Sequence, residues 1–486
     1  MGQYAMDHPV NVLEQIAEWR LEGADEDSGR YFFSTSEVDQ LENGQRCYVI
    51  GRKGTGKSAI CKYFETRIDY NRFCLKLSFK EFPFNLLYGL DDAQYTTPSQ
   101  YISLWKFFIY SSIMSMMAKN HNIDQEIREK IESIYPSDDF EYISSRMQKW
   151  TKKSFGGSFF KIFSANYSND VENIPLHEIW MELIPKMESI ILSHIDSAKY
   201  FIVFDELDED YRNFWDDNNR ERYIPLILSL FKAVSSVRRA LSESRGSVLP
   251  IVFLRDDIYE LLTDPDKNKW EDNKIYLNWK ADKLKQMLAF RIERAERSDS
   301  TNFVFDDAWD KIFQHKYIAV GTHKNDQKIF DFIHSLTHSR PRDFVRLLKE
   351  CARSSLEQGH KRITADTIRG IEAEYSGHLR QELVNEISGL IPDIEKIFTD
   401  LSKLRKQRFK TTDFVNEIEN IISILKSRQD NLDSGKIAEI LFHFSVIGNA
   451  GRDNRPYYKY QRNSETLSYE APVVIHRGLL RSFNLN

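Results

Sequence analysis

Cysteine is scarce in this 486-residue chain: Cys47, Cys61, Cys74 and Cys351 are the four, and no two form a CxxC pair. Each stands in an apolar or helical context, so they read as reduced, buried thiols, not as a disulfide frame or a zinc site. The twelve histidines show no metal-ligand spacing either. An excess of one charge is missing too: 67 Lys/Arg against 73 Asp/Glu leave a net charge of −6. Any basic face for nucleic acid must therefore be local. Long hydrophobic runs are absent. The nearest, Tyr101–Ala118, could barely span a bilayer, and Lys106 and four serines interrupt it with no positive flank after it. A buried core helix is the better reading. The start, MGQYAMDHPVNV, lacks a basic n-region and an apolar core, so no secretory signal is expected. Met6 occupies the position where a myristoylation signal wants Ser or Thr. What remains is an ordinary soluble, cytoplasmic protein, long enough for two to four domains and with no membrane role.

What is present begins at Gln45–Phe64, QRCYVIGRKGTGKSAICKYF. Cys47, Tyr48, Val49 and Ile50 read as a buried strand, and an apolar-periodic helix follows Lys57 and Ser58. Between them, Gly51, Gly54, Thr55 and Gly56 complete GxxxxGK[ST] in the strand–loop–helix context the motif requires. Glycines let the backbone curl so that N–H groups point at phosphate oxygens, and the helix start, Ser58 and Ala59, adds its dipole. Lys57 then reaches the β- and γ-phosphates and the Ser58 hydroxyl holds Mg²⁺, which makes ATP and Mg²⁺ the expected ligands.

Tyr200–Asp210, YFIVFDELDED, is the second anchor. Its apolar residues form a strand with Asp205 and Glu206 at the C-terminal end, where ligands bind in parallel α/β sheets. Asp205 suits the Mg²⁺ shell, and Glu206 suits the base that orients and deprotonates the attacking water. A third strand, Val248–Leu254, ends in Arg255, which either reaches a γ-phosphate or pairs with Asp256 or Asp257. Further strands are expected at Phe73–Phe79 and Lys274–Trp279. Tyr31-Phe32-Phe33 either lines an adenine pocket or packs in a core.

The order of elements defines the expected architecture, an α/β fold with a parallel sheet and a large helical insertion. An N-terminal segment covers 1–35 and the ATPase core 36–279, with the insertion at about 80–195. Helices in the insertion are read at Tyr101–Ala118, Gln125–Ile134, Tyr142–Lys152 and Leu176–Ile195. A helical lid spans 280–380, with helices including Gln327–Thr337 and Asp343–Ser354. In it, Ser339-Arg340-Pro341-Arg342-Asp343 opens a helix and leaves Arg342 to point at the nucleotide. Residues 381–486 carry helices and then two β-rich runs, YYKYQR and LSYEAPVVIH, joined by a polar turn. Helices followed by a hairpin predict a winged helix.

With these pieces the chain resembles an AAA+ or STAND-type P-loop ATPase over about residues 30–375. GRKGTGKS matches the AAA+ phosphate loop and FIVFDELDE matches Walker B. FLRDD stands at the sensor 1 position, and SRPRD is similar to both a sensor 2 arginine motif and the GxP-type turn of STAND lids, around Pro341. The chain also resembles a group of bacterial P-loop ATPases with a winged-helix-like tail, some of them near phage-defence genes. Ring-forming AAA+ enzymes carry an arginine finger after sensor 1, yet no arginine occurs here between Arg255 and Arg291. That departure, with an arginine at sensor 1, points to a nucleotide-gated switch. VVIHRGLL is similar to the segment in which a histidine contacts the ADP β-phosphate, which would make His476 a nucleotide sensor. The alternative is a strand-end histidine capping the helix Gly478–Phe483.

Two functions follow. One is an ATP-hydrolysing switch that turns over slowly, acting as a homo-oligomer or on an effector protein, as in an antiphage system. The other is a DNA-binding AAA+ ATPase using the winged helix on duplex DNA. Residues 381–486 hold 15 Lys/Arg against 14 Asp/Glu. The basic residues gather at Lys403–Lys410 and at Arg452, Arg455, Lys459 and Arg462. Each cluster is either a DNA face or simply a solvated one.

Overall fold

A computed structural model describes residues 11–23, 25–67, 69–79, 97–135, 176–208, 217–296, 303–320, 325–425, 433–451 and 455–485. The expected helix at 142–152 and Arg452 lie outside these residues. The chain divides into two compact units. One comprises residues 34–52 and 60–277; the other comprises residues up to 33, 53–59 and from 278 onward.

The first unit is built on five strands: β1 Tyr48–Ile50, β2 Arg72–Ser78, β3 Lys199–Asp205, β4 Ser247–Leu254 and β5 Lys274–Tyr276. They pair in the order β2-β3-β4-β1-β5, every pair parallel. Such a sheet buries both faces, which is why β3 reads as continuous apolar sequence and not as an alternation. Successive side chains of a strand point to opposite faces. Phe201 of β3 meets Phe64 of the helix Lys57–Thr66, with ring centroids 5.0 Å apart. Phe204 points the other way, to Trp105 at 6.0 Å. Trp105 belongs to the helix Thr97–Lys119, which packs against the helices Leu176–His194 and Asp217–Ala240. Trp105, Phe107, Phe108, Ile109 and Tyr110 are all fully buried, so the run read as a core helix is one. Among the described residues no helix is long and apolar enough to cross a membrane.

The second unit is mostly helical. It contains α1 Val12–Ala17, α2 Ala281–Ala295, α3 Phe305–Ile312, α4 Ile329–Leu336, α5 Pro341–Glu357 and α6 Ala365–Ile387. Helix α1 packs on α5, and the Lys349 ammonium donates to the Trp19 carbonyl at 2.8 Å. Tyr31 lies edge-on to Trp19 with the Arg291 guanidinium over both rings, so this aromatic segment packs in a core. The helix expected at Gln327–Thr337 starts later. Residues 325–328 are a strand, β7, paired antiparallel with β6 Tyr317–Val320, because the polar run NDQK has no apolar face for a helix to bury.

The C-terminal part runs α7 Ile394–Lys403, β8 Arg408–Phe409, α8 Thr411–Leu425, α9 Ser434–His443, β9 Ile447–Ala450, β10 Pro456–Tyr457 and β11 Val473–Ile475. Its sheet has the order β10-β9-β11-β8, antiparallel throughout. The two β-rich runs seen in the sequence do not pair with each other. Strand β9, which the sequence reading did not single out, lies between them. Tyr458 and Tyr460, which made the first run look like strand, are instead buried packing residues.

Candidate functional site

The C-terminal edge of the parallel sheet collects the chemistry of the first unit. Tyr48 of β1 and Phe204 of β3 are both level with Val252 of β4, so the three strands end together. Gly51, the first motif residue, donates its N–H to the Leu254 carbonyl at 3.2 Å. Two strands away Asp205 ends β3, only 4% exposed. Its Oδ2 has no hydrogen-bond partner among the described residues, and the Lys76 ammonium of β2 stands 3.4 Å away. Burial pulls the Lys76 pKa down, but Asp205, Cys61 and Glu206 outweigh it, leaving the value raised and the side chain charged.

Glu206 follows in the left-handed region at φ +58°, unusual for a residue with a side chain. The Ser78 hydroxyl at the end of β2 donates to its carboxylate. Ser78 was not predicted, and nothing in the sequence marks it, since it lies 128 residues away. Arg255 forks onto Asp257, Nη2 to Oδ2 at 2.6 Å and Nε to Oδ1 at 3.0 Å, with Asp208 at 3.5 Å. This is the aspartate pairing named as its alternative.

Residues 53–59 of the loop belong to the second unit. Gly54 and Gly56 hold φ of +80° and +99°, which glycine adopts without a Cβ clash. Three consecutive carbonyls of the loop are bound. Arg340 Nη1 donates to Lys53 at 3.3 Å, the Arg342 N–H to Gly54 at 3.5 Å, and Trp279 Nε1 to Thr55 at 2.9 Å. A trans peptide points its N–H opposite its C=O. The N–H groups of Gly54, Thr55 and Gly56 therefore turn the other way, which is the polarity a phosphate cradle requires. Lys57 opens its helix, with Ser58 and Ala59 in the first turn. A Cβ on Gly23 would lie 2.8 Å from that of Ala59, so only glycine fits there.

In SRPRD, Pro341 takes the first turn of α5. Arg342 pairs with Glu22 at 2.5 Å. Its neighbour Arg340, given no role by the sequence reading, is fully buried and meets three carboxylates: Asp343 at 3.0 Å, Glu386 at 3.0 Å and Glu382 at 3.2 Å. Burial alone would lower its pKa, but the three anions raise it well above the ordinary value. Asp343, three residues on, was the available signal; Glu382 and Glu386 were not. His476 is also fully buried. Its Nδ1 accepts the Gly478 N–H at 3.1 Å, capping a short 3₁₀ turn at Arg477–Leu479, and its Nε2 meets the Tyr460 hydroxyl at 3.1 Å.

Magnesium fits the donor set. Asp205 offers a buried oxygen that has no hydrogen-bond partner among the described residues. Among the described residues no cluster of three or more His, Cys, Asp or Glu could hold a metal alone. Mg²⁺ usually takes one or two protein oxygens and completes its shell with phosphates and water.

A family model described as the FunZ-associated C-terminal helical domain matches residues 282–384. The chain is 23% identical over 485 residues to an Escherichia coli (strain K12) protein named "Putative transposon gamma-delta 80.3 kDa protein". That match covers 94% of this chain and 65% of the relative, so the chain spans under two thirds of the relative's length. Among solved structures, the ORC1 protein of Aeropyrum pernix in complex with DNA is 11% identical, with a TM-score of 0.37 and coverage of 96% of this chain and 95% of that one. The ORC2 protein of Aeropyrum pernix, in ADPNP–ADP complexes, is 10% identical, with a TM-score of 0.37 and coverage of 94% and 89%.

Proposed function

We propose that the chain is a Mg²⁺-dependent ATPase of the AAA+ or STAND kind that works as a switch. The observation that carries this is the C-terminal edge of the parallel sheet. The strand entering the GxxxxGKS motif, the Asp205-Glu206 pair and Arg255 all end there, in the strand order β5-β1-β4-β3-β2. Lys57 neutralises the β- and γ-phosphate oxygens, and the loop N–H groups of residues 54–56 fix their position. Ser58 and Asp205 would hold the metal, which would draw charge from the phosphates. Glu206 accepts a proton from the attacking water. Arg255 and Arg342 respond to the γ-phosphate by leaving their present partners, Asp257 and Glu22. The nucleotide-dependent rearrangement acts on a second copy or an effector protein, with antiphage defence as the setting.

Two variants test the assignment. Lys57→Ala removes a fixed cation from the reacting phosphate and should lower turnover by a factor of about 10²–10³. Glu206→Gln should keep ATP binding and Mg²⁺ dependence while abolishing turnover. Turnover within a few-fold of the parent in Lys57→Ala, measured by phosphate release, would refute the reading.

A second reading, duplex DNA binding, is favoured by one observation. The helix–strand–helix–helix–strand order of the described residues in 394–450, closed by β11, supports a winged-helix reading. At its edge strand, Lys403, Arg405, Lys406, Arg408 and Lys410 are all exposed.

A further inference from the structure

The segment from Leu336 to Arg342, where α4 gives way to α5, touches two places in the second unit at once. On one side are the loop contacts already described, Arg340 to the Lys53 carbonyl and the Arg342 N–H to the Gly54 carbonyl. On the other side is the C-terminal module. The Leu336 carbonyl packs so closely on Gly478 that a Cβ there would come within 2.1 Å of it. The His338 ring lies 4.4 Å from that of His476 and 5.3 Å from that of Tyr460.

Arg340 ties the two sides together. Its Nε donates to Asp343, its Nη1 to Lys53 and Glu386, and its Nη2 to Glu382. Glu382 and Glu386 lie on α6, and α6 is fastened in turn to the C-terminal segment. The Ser482 N–H donates to Ser376 Oγ at 2.9 Å, and Arg380 Nη1 donates to the Ser482 carbonyl at 3.2 Å. We propose that Arg340 is a positioning residue that couples the phosphate loop to the C-terminal module through α6. This rests on the reading of residues 51–58 as a nucleotide site.

The physical reason is the rigidity of the guanidinium and the cost of leaving its partners. The planar group holds its donors at fixed angles, so it cannot follow a displaced loop carbonyl without moving its other hydrogen bonds. Those bonds end on carboxylates that are mostly buried, and a buried anion left unpaired is strongly unfavourable. A loop drawn forward by phosphate therefore carries Arg340 with it, and α6 follows. Because such coupling is reciprocal, a change at the far end must alter nucleotide affinity.

The test is a double-mutant cycle on the full chain, with ATP affinity read by calorimetry. Arg340→Lys keeps a cation but loses the fork. Ser376→Ala removes the acceptor for Ser482 at a site that touches neither the loop nor Arg340. Ser376→Ala should change ATP affinity about fivefold or more in the parent, and less than about twofold in Arg340→Lys. An equal effect in both backgrounds, or none in the parent, overturns the coupling and leaves the nucleotide site standing. A parent that binds no ATP overturns the nucleotide reading, and the coupling with it, before any substitution is made. If Arg340→Lys does not fold, Glu386→Gln, which keeps the side chain's shape without its charge, takes its place with the same expectation.

Discussion

At the scale of single residues, Gly54 and Gly56 look interchangeable in the motif, but their surroundings differ. A Cβ on Gly54 would sit 3.3 Å from Arg342 Cβ and 3.6 Å from Arg340 Cδ, while one on Gly56 would meet nothing within 4 Å among the described residues. Both positions have positive φ, so alanine at either costs about 1–2 kcal/mol of backbone strain. Gly54→Ala must also push α5 away from the loop. It should therefore lower the denaturant midpoint more than Gly56→Ala does. Equal losses would show that α5 yields freely at this contact. The same residues mark how much of the site was legible. A local motif marks Gly54 and Gly56 in the sequence alone, whereas Arg340 and Arg342, two residues apart, look alike there and differ only once one of them is buried.

At the scale of elements, the turn joining α4 to α5 holds a residue in the left-handed region. Ser339 sits at φ +53°, and its hydroxyl is hydrogen-bonded to His334 Nε2 at 2.8 Å. Burial lowers the His334 pKa below 6.5; Lys285 adds to the effect and Asp331 opposes it. The folded chain thus binds fewer protons than the unfolded chain once the pH drops under about 6.5. The stability from His334 is fully present above that pH and is lost as the pH falls towards the folded value. Unfolding free energy should drop between pH 7.5 and 5, and drop less in His334→Gln. An identical slope for the two proteins would remove His334 as the cause. Elements themselves were legible where burial gives a clean period. The helix expected near Gln125–Ile134 spans those residues. Strands β7 and β9 were not read, because NDQK and IGNA carry no alternation of their own and are strands only by their partners.

At the scale of the molecule, net charge hides a local concentration. Among the exposed cations at residues 403–410, Lys403 is paired with Asp400 at 2.6 Å, and Lys406 stands over the Phe409 ring. If this edge contacts a duplex, replacing Arg405, Lys406 and Lys410 with Gln should weaken binding on any sequence. It should also flatten the dependence of log affinity on log salt by about one unit per lost phosphate contact. Filter-binding or anisotropy titrations between low and physiological salt would show it. An unchanged slope would leave the cluster a solvated face.

The chain's own order dictated a good deal: the glycine turn between a strand and a helix, the buried apolar strands, the carboxylates at the end of one of them, and a core helix too interrupted to be a membrane span. All of these depend on neighbours within a few residues, where periodicity and turn chemistry act. The tertiary structure decided the rest. Strand order brought Ser78 to Glu206 across 128 residues, and helix packing brought Glu386 to Arg340 across 46 and Glu22 to Arg342 across 320. Such pairings leave no spacing in the sequence, because they are set by which apolar faces bury against each other, and the polar contacts form where that packing puts them.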